Sequence, residues 1–365
     1  LKFGGSSLGR AESLARVFEI VGREAAASPV AIVVSALGDT TDWLVEAVEA
    51  ARSGGRVEAL ERVDRMHRLA VDTVTRALST RGAAWIGLED VVSGELAPLR
   101  ALLEGIASVE DCSRRTRDRV LAFGELLSSA VVAGALSATG VAAERVDART
   151  WMVTDDKHGD ASVQMEATRA KAATHAWFAR PSAERLTVHT GFLGATPTGA
   201  TTTLGRNGSD YTAAVLAALL GASELSIWTD VSGVMTADPA LVVEAYPVPT
   251  LSYREALELA GLGLRMLHPR TVLPLLEAGI PMRIRNTMRP DDPGTVVDPT
   301  GSPDDARPTC IASLDGMALL DVEGTLRSKG ARIAPRVLAS LAAADVPVFF
   351  SVPAPQGNGI AFVVH

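Results

Sequence analysis

At 365 residues, 47 % hydrophobic and only 4 % aromatic, the chain is long enough for one large domain and a smaller one around a core of Ala, Val and Leu. Its 35 basic and 43 acidic side chains leave a formal charge of −8, which argues against a general affinity for nucleic-acid backbones or anionic membranes. Cys112 and Cys310 lie far apart, fit neither a zinc site nor a disulfide scaffold, and suit a reducing cytoplasm. No charged leader precedes an apolar run, and no apolar run approaches the roughly 20 residues that cross a bilayer. The absent initiator methionine and the strand-like ending "GIAFVVH" read as a piece of a longer chain.

In chain order, "LKFGGSSLGR" reads as a strand running into a glycine turn that opens a helix, followed by an amphipathic helix over 11–27 and a strand over 29–37. Residues 43–110 have helical period with glycine breaks, and 114–139 continue in helix. "RLTVHTGFLG" at 185–194 predicts a buried strand ending in a glycine turn, and "TPTGATTTL" at 196–204 a hairpin. A helix over 210–220, a strand over 224–230, a helix over 252–260 and a strand over 280–286 complete an alternating pattern. The predicted fold is α/β, a three-layer α/β/α sandwich with a mostly parallel sheet. The Pro, Gly and Asp content of 287–309 reads as linker, which places a catalytic domain at 1–290, a linker at 291–308 and a small α+β module at 309–365.

The opening loop would turn free backbone N–H groups towards an anion. Gly4 and Gly9 have Walker-loop spacing, but Arg10 and Ala11 replace the required Lys and Ser/Thr, and G-x-G-x-x-G is absent. Here the lysine comes first, with Lys2 at the carboxyl end of strand one, where open α/β sheets bind ligands. A bland reading, in which the glycines only permit positive φ, stays open on this stretch alone. In "GRNGSDYTAAVL", Arg206 could grip a carboxylate through two parallel hydrogen bonds, or be a surface charge beside an ordinary Ser209 or Asp210 cap. Thr229 and Asp230 follow a strand, as ligand loops do, or form a plain Asp turn. Glu125 is an acid in an apolar helix, on a solvated face or in a site. His268, before Pro269, reads as structural. No metal cluster or nucleophile motif stands out.

Taken in order, "KFGGSS", "VVSALGDTTDWL", "FGELLSS", "TGFLG", "TLGRNGSDYTAAVLAALLGA", "IWTDVSGVMTADP" and "LRMLHPRTVLPLLEAGIPMRIRNT" resemble the aspartokinases of the amino-acid kinase family. "GRNGSD" with "HPRT" is most similar to the kinase half of the bifunctional aspartokinase and homoserine dehydrogenase enzymes, and 308–365 resembles the first part of a regulatory ACT region. The resemblance implies ATP-dependent phosphorylation of the β-carboxylate of L-aspartate to 4-phospho-L-aspartate, the first step towards lysine, threonine and methionine. It implies Lys2 as the catalytic cation, Asp210 holding that lysine, and Gly4, Gly5, Ser6 and Ser7 along the phosphate path. Thr41, Glu125, Phe192, Arg206 and Ser209 would hold aspartate, with Glu125 facing its ammonium and Arg206 its α-carboxylate. Thr229, Asp230, Met235 and Arg265 would meet ATP, and Mg²⁺ would ride on phosphates and waters without a protein cage. An amino-acid effector at the ACT-like module and a homo-oligomer are also implied. Met235, Ala240 and Arg265 stand where the family usually has Tyr, Arg and Lys, all at the nucleotide end. Those departures motivate one alternative, a non-catalytic amino-acid-binding subunit; another is a related carboxylate kinase such as a glutamate kinase, against which "GRNGSD" and "FGE" speak.

Overall fold

The computed structural model describes residues 1–179, 186–262, 267–301, 309–313, 316–323, 330–353 and 359–364. Its strands are β1 (Lys2–Phe3), β2 (Ala31–Val34), β3 (Ala143–Val146), β4 (Leu186–Thr190), β5 (Leu193–Ala195), β6 (Thr201–Thr203), β7 (Leu225–Thr229), β8 (Thr250–Ser252), β9 (Met282–Asn286), β10 (Thr295–Asp298), β11 (Ala318–Glu323), β12 (Val348–Pro353) and β13 (Gly359–Val364). Its helices are α1 (Gly5–Leu8), α2 (Ala11–Ala27), α3 (Thr40–Arg52), α4 (Arg56–Ser79), α5 (Leu88–Val109), α6 (Arg114–Ala138), α7 (Met165–Thr174), α8 (Ala176–Ala179), α9 (Gly208–Leu220), α10 (Tyr253–Gly261), α11 (Pro269–Ala278) and α12 (Gly330–Ala343).

An eight-stranded sheet runs β3-β4-β2-β1-β7-β9-β10-β8, and only the β9–β10 pair is antiparallel. Both faces are covered, and β2, Ala-Ile-Val-Val, is the continuous apolar run that such burial favours. Side chains alternate between two cores. Ile32 and Val34 of β2, with Phe3 and Trp228, pack among α2 to α6, while Val33, Leu225 and Ile227 pack on α9 to α11. This is the expected α/β/α sandwich. The expected small module also forms, as an antiparallel β11-β13-β12 sheet with α12.

The helical stretch 43–110 divides at its glycine breaks into three helices, α3 to α5. Elsewhere the structure departs from the sequence reading. The strand expected over 185–194 breaks at Gly191 and Phe192 into β4 and β5, because Phe192 adopts a left-handed φ of 63°. Contrary to the expectation for apolar runs, α6 is long and apolar enough to cross a membrane, but it is mostly buried inside the protein, which accounts for that composition. The stretch read as linker contributes β10, paired with β8 and β9. Beyond it Thr309 donates to Glu255 Oε1 (2.7 Å) and Ile311 N to the Thr236 carbonyl (2.8 Å), so the chain still lies on the large domain there. His268 caps α11, its Nδ1 accepting from Arg270 N (3.2 Å) with Pro269 in the first turn, as a structural role requires.

Thr295 of β10 ties down the β7–β8 connection. Its hydroxyl donates to the Val248 carbonyl (2.6 Å) and accepts from Val234 N (2.8 Å), fully buried. Thr295→Val leaves both backbone groups unpaired and should lower unfolding stability by about 2–4 kcal/mol. Denaturant unfolding checks this, and an unchanged midpoint would contradict the anchoring role.

Candidate active site

A cleft of about 290 Å³ opens at the carboxyl ends of β1, β2 and β4, where the first turn of α9 meets the sheet. Seven residues singled out in the sequence line it: Lys2, Gly5, Thr41, Glu125, Phe192, Ser209 and Asp210. Lys2 reaches across from β1 to Asp210, with Nζ 2.7 Å from Oδ1 and the two side chains 9 % and 15 % exposed. A buried ammonium needs such a partner, since an unpaired charge in this setting costs several kcal/mol.

Close backbone approach makes the pairing possible. A Cβ on Gly191 would lie 2.6 Å from Ser209 Cβ, and one on Gly208 would lie 2.7 Å from the Phe192 ring. The β4–β5 turn and the start of α9 therefore touch as only glycines allow. Likewise a Cβ on Gly9 would fall 2.6 Å from Gly38 Cα, so the opening loop packs directly on the loop after β2. Behind the cleft Arg270 binds Asp160 (Nη1–Oδ1 2.7 Å) and the Leu204 carbonyl (3.3 Å), which holds the β6–α9 loop. The buried Asp118 accepts from Thr203 Oγ1 (2.7 Å) and Thr203 N (3.3 Å) and lies 2.7 Å from His158 Nδ1. Neither Arg270 nor Asp118 was singled out from sequence, because their partners lie far along the chain.

Glu125 is not on a solvated face. It is buried, its Oε1 accepts from Ala36 N (3.2 Å), and Oε2 has no partner among the described residues. Burial raises its pKa to about 8, against the opposing pull of the Ala36 hydrogen bond and the Lys2 charge. The cleft thus holds a buried acid whose ionised form is disfavoured by desolvation.

The phosphate-loop expectation narrows. Gly4 N donates to the Trp228 carbonyl (3.2 Å), and Ser7 is buried, its hydroxyl 2.7 Å from Thr287 Oγ1. Ser7 therefore braces β7 and β9 and does not line the cleft. Gly5 lines it and Ser6 is exposed. Arg206 is exposed and outside the cleft lining, at the rim one residue from Asn207. Thr229 donates to Asp230 Oδ1 (3.0 Å), and Asp230 lines a second cleft of about 820 Å³ together with Met235. Arg265 lies outside the described residues. No group of three metal-ligating side chains occurs among the described residues.

The family model for the amino acid kinase family matches residues 1–286. The chain belongs to the amino acid kinase family. Among curated relatives it is 37 % identical over 330 residues to aspartokinase 1, chloroplastic, of Arabidopsis thaliana, covering 89 % of this chain and 56 % of that one. It is 32 % identical over 372 residues to the bifunctional aspartokinase/homoserine dehydrogenase of Haemophilus influenzae, covering 100 % of this chain and 44 % of that one. The chain thus spans about half the length of these relatives. Among solved structures, E. coli aspartokinase III in complex with aspartate and ADP superposes with a TM-score of 0.81 at 28 % identity, covering 100 % of this chain and 77 % of that one.

In this amino acid kinase, Glu125 makes stability depend on pH. Its folded pKa lies above the unfolded value of 4.5, so the folded state keeps a proton that the unfolded state loses. Stability should fall as pH rises from about 4.5 to about 8 and then level. Glu125→Gln should remove that fall and be more stable than wild type at pH 8, by a few kcal/mol in order of magnitude. Denaturant unfolding at pH 5 and pH 8 measures it, and equal stability of the two proteins at pH 8 would contradict the buried, protonated state.

Proposed function

We propose that the chain phosphorylates the β-carboxylate of L-aspartate with ATP, giving 4-phospho-L-aspartate and ADP. The observation that carries this reading is the meeting of the Lys2–Asp210 pair and the buried Glu125 carboxylate in one small cleft, beside a larger cleft at neighbouring strand ends. The likeness to an aspartokinase solved with aspartate and ADP supports it.

In the reaction a carboxylate oxygen attacks the γ-phosphorus, and the bond to the bridging oxygen breaks with its electron pair leaving on ADP. No proton has to be removed from the nucleophile. The difficulty is bringing an anion to a polyanion, so catalysis rests on positioning and on positive charge. Lys2 neutralises charge on the transferring group, and Asp210 holds its ammonium in place. Glu125 takes the substrate ammonium, which favours its ionised form. Thr41 and Ser209 bind the substrate from facing elements, Phe192 shapes the pocket, and Arg206 closes over the α-carboxylate from the rim. Gly5 and Ser6 face the phosphates, while Thr229, Asp230, Met235 and Arg265 serve the nucleotide. Mg²⁺ would bind through the phosphates and waters.

The catalytic module extends to Asp298. The β11-β13-β12 sheet would hold an amino-acid effector, a reading supported by the likeness to an E. coli aspartokinase III solved in complex with lysine and aspartate, and its exposed Leu319, Phe350 and Val352 suit a second copy in a homo-oligomer.

With ATP, Mg²⁺ and hydroxylamine, the chain should form aspartyl hydroxamate and little glutamyl hydroxamate. Lys2→Met should cut turnover roughly 10²–10³-fold while aspartate binding by calorimetry persists. The KM for aspartate should fall as pH rises towards about 8 in wild type and stay flat in Glu125→Gln. Aspartate binding without hydroxamate or ADP release would instead mark a non-catalytic binding protein.

A further inference from the structure

The larger cleft lies between the β7–β8 connection and the end of β9, and most of its polar lining is already engaged. Asn286 Nδ2 donates to the Asp230 carbonyl (3.2 Å) and to Ser232 Oγ (3.1 Å), and Ser232 donates to Asp292 Oδ2 (2.9 Å). Two side chains in the lining are not engaged in this way. Tyr246 is 64 % exposed, and Arg289 is exposed, its guanidinium pairing with no carboxylate among the described residues.

Tyr246 is held firmly by its backbone. Its carbonyl accepts from Thr236 N (2.9 Å), its amide donates to Thr236 Oγ1 (3.2 Å), and Pro247 bridges to Met235 on the facing segment. Thr295 fixes the same connection from below. An anchored aromatic face beside the soft thioether of Met235 suits a flat heterocycle, and a free guanidinium suits a phosphate. The neighbouring strands β1, β7 and β9 lie about 4.8 Å apart, which puts the end of β9 roughly 10 Å from the strand that carries Lys2. A nucleoside triphosphate bridges such a span.

We propose that Tyr246 stacks on the base of the phosphoryl donor and Arg289 pairs with the phosphate nearest its sugar, so that this cleft and Lys2 grip opposite ends of one nucleotide. The inference rests on the kinase reading above and adds two binding residues to it.

Displacement of fluorescent mant-ADP by ADP and by adenosine measures binding, and aspartate-dependent ADP release from ATP measures turnover. Tyr246→Ala should weaken ADP and adenosine alike, about tenfold for a lost stacking contact, and raise the KM for ATP while the KM for aspartate holds. Tyr246→Phe, which keeps the ring, should bind like wild type, and Arg289→Ala should weaken ADP but not adenosine. An active wild type whose Tyr246→Ala variant keeps its ADP affinity overturns the stacking role and leaves the kinase reading standing. Weakened binding in the variants, with no aspartate-dependent ADP release from wild type, supports the cleft assignment and overturns the kinase reading. No nucleotide binding to wild type overturns the assignment.

Discussion

A lysine ammonium buried at the middle of a parallel sheet is the constraint to which the cleft is built. Lys2 sits on a strand flanked by β2 and β7, where both faces are covered, and its charge is tolerable only because Asp210 lies 2.7 Å away. Asp210 belongs to the first turn of a helix some two hundred residues later, so the start of α9 must be pressed against the sheet. That requirement explains the left-handed Phe192 and Asn207, and glycines at 191 and 208 where a Cβ would collide. Backbone strain at such positions typically costs about 1–3 kcal/mol each, and it is offset by the packing and ion pairs around it.

The second buried titratable group of the cleft, Glu125, has the opposite character. Lys2 has a permanent partner, whereas one oxygen of Glu125 accepts from Ala36 N and the other has no partner among the described residues. Its raised pKa follows from desolvation that a bound cation would relieve. One wall of the cleft is thus an ion pair and the other a buried acid with one oxygen unpartnered among the described residues. In the proposed reaction this difference puts the phosphoryl group at the first wall and the amino acid at the second.

Where local pattern and burial agree, the sequence is easy to read. β2 is an apolar run and β7 a largely apolar one, α2 has a clean amphipathic period, and the loops after β1 and β7 fall at strand ends where ligands gather. β10 is hidden in a run of Pro, Gly and Asp because its partners, β8 and β9, supply the pairing that its own composition does not suggest. Cleft residues follow the same division. Lys2, Glu125, Phe192, Ser209 and Asp210 converge as their motifs implied, whereas the burial of Ser7 against Thr287 and the outward position of Arg206 depend on contacts from remote segments. Asp118, which holds the β5–β6 hairpin, carries no local signal, and Arg270, which holds the loop before α9, shows only as part of "HPRT", with nothing there to name Asp160 as its partner.

In the proposed reaction Lys2 and Asp210 act as one unit in phosphoryl transfer. A double-mutant cycle on turnover, with Lys2→Met, Asp210→Asn and the pair combined, tests it most directly. If the aspartate only positions the lysine, the double variant should be no slower than Lys2→Met alone. Losses that multiply, so that the double variant is slower by the product of the two single effects, would show independent roles and contradict the claim.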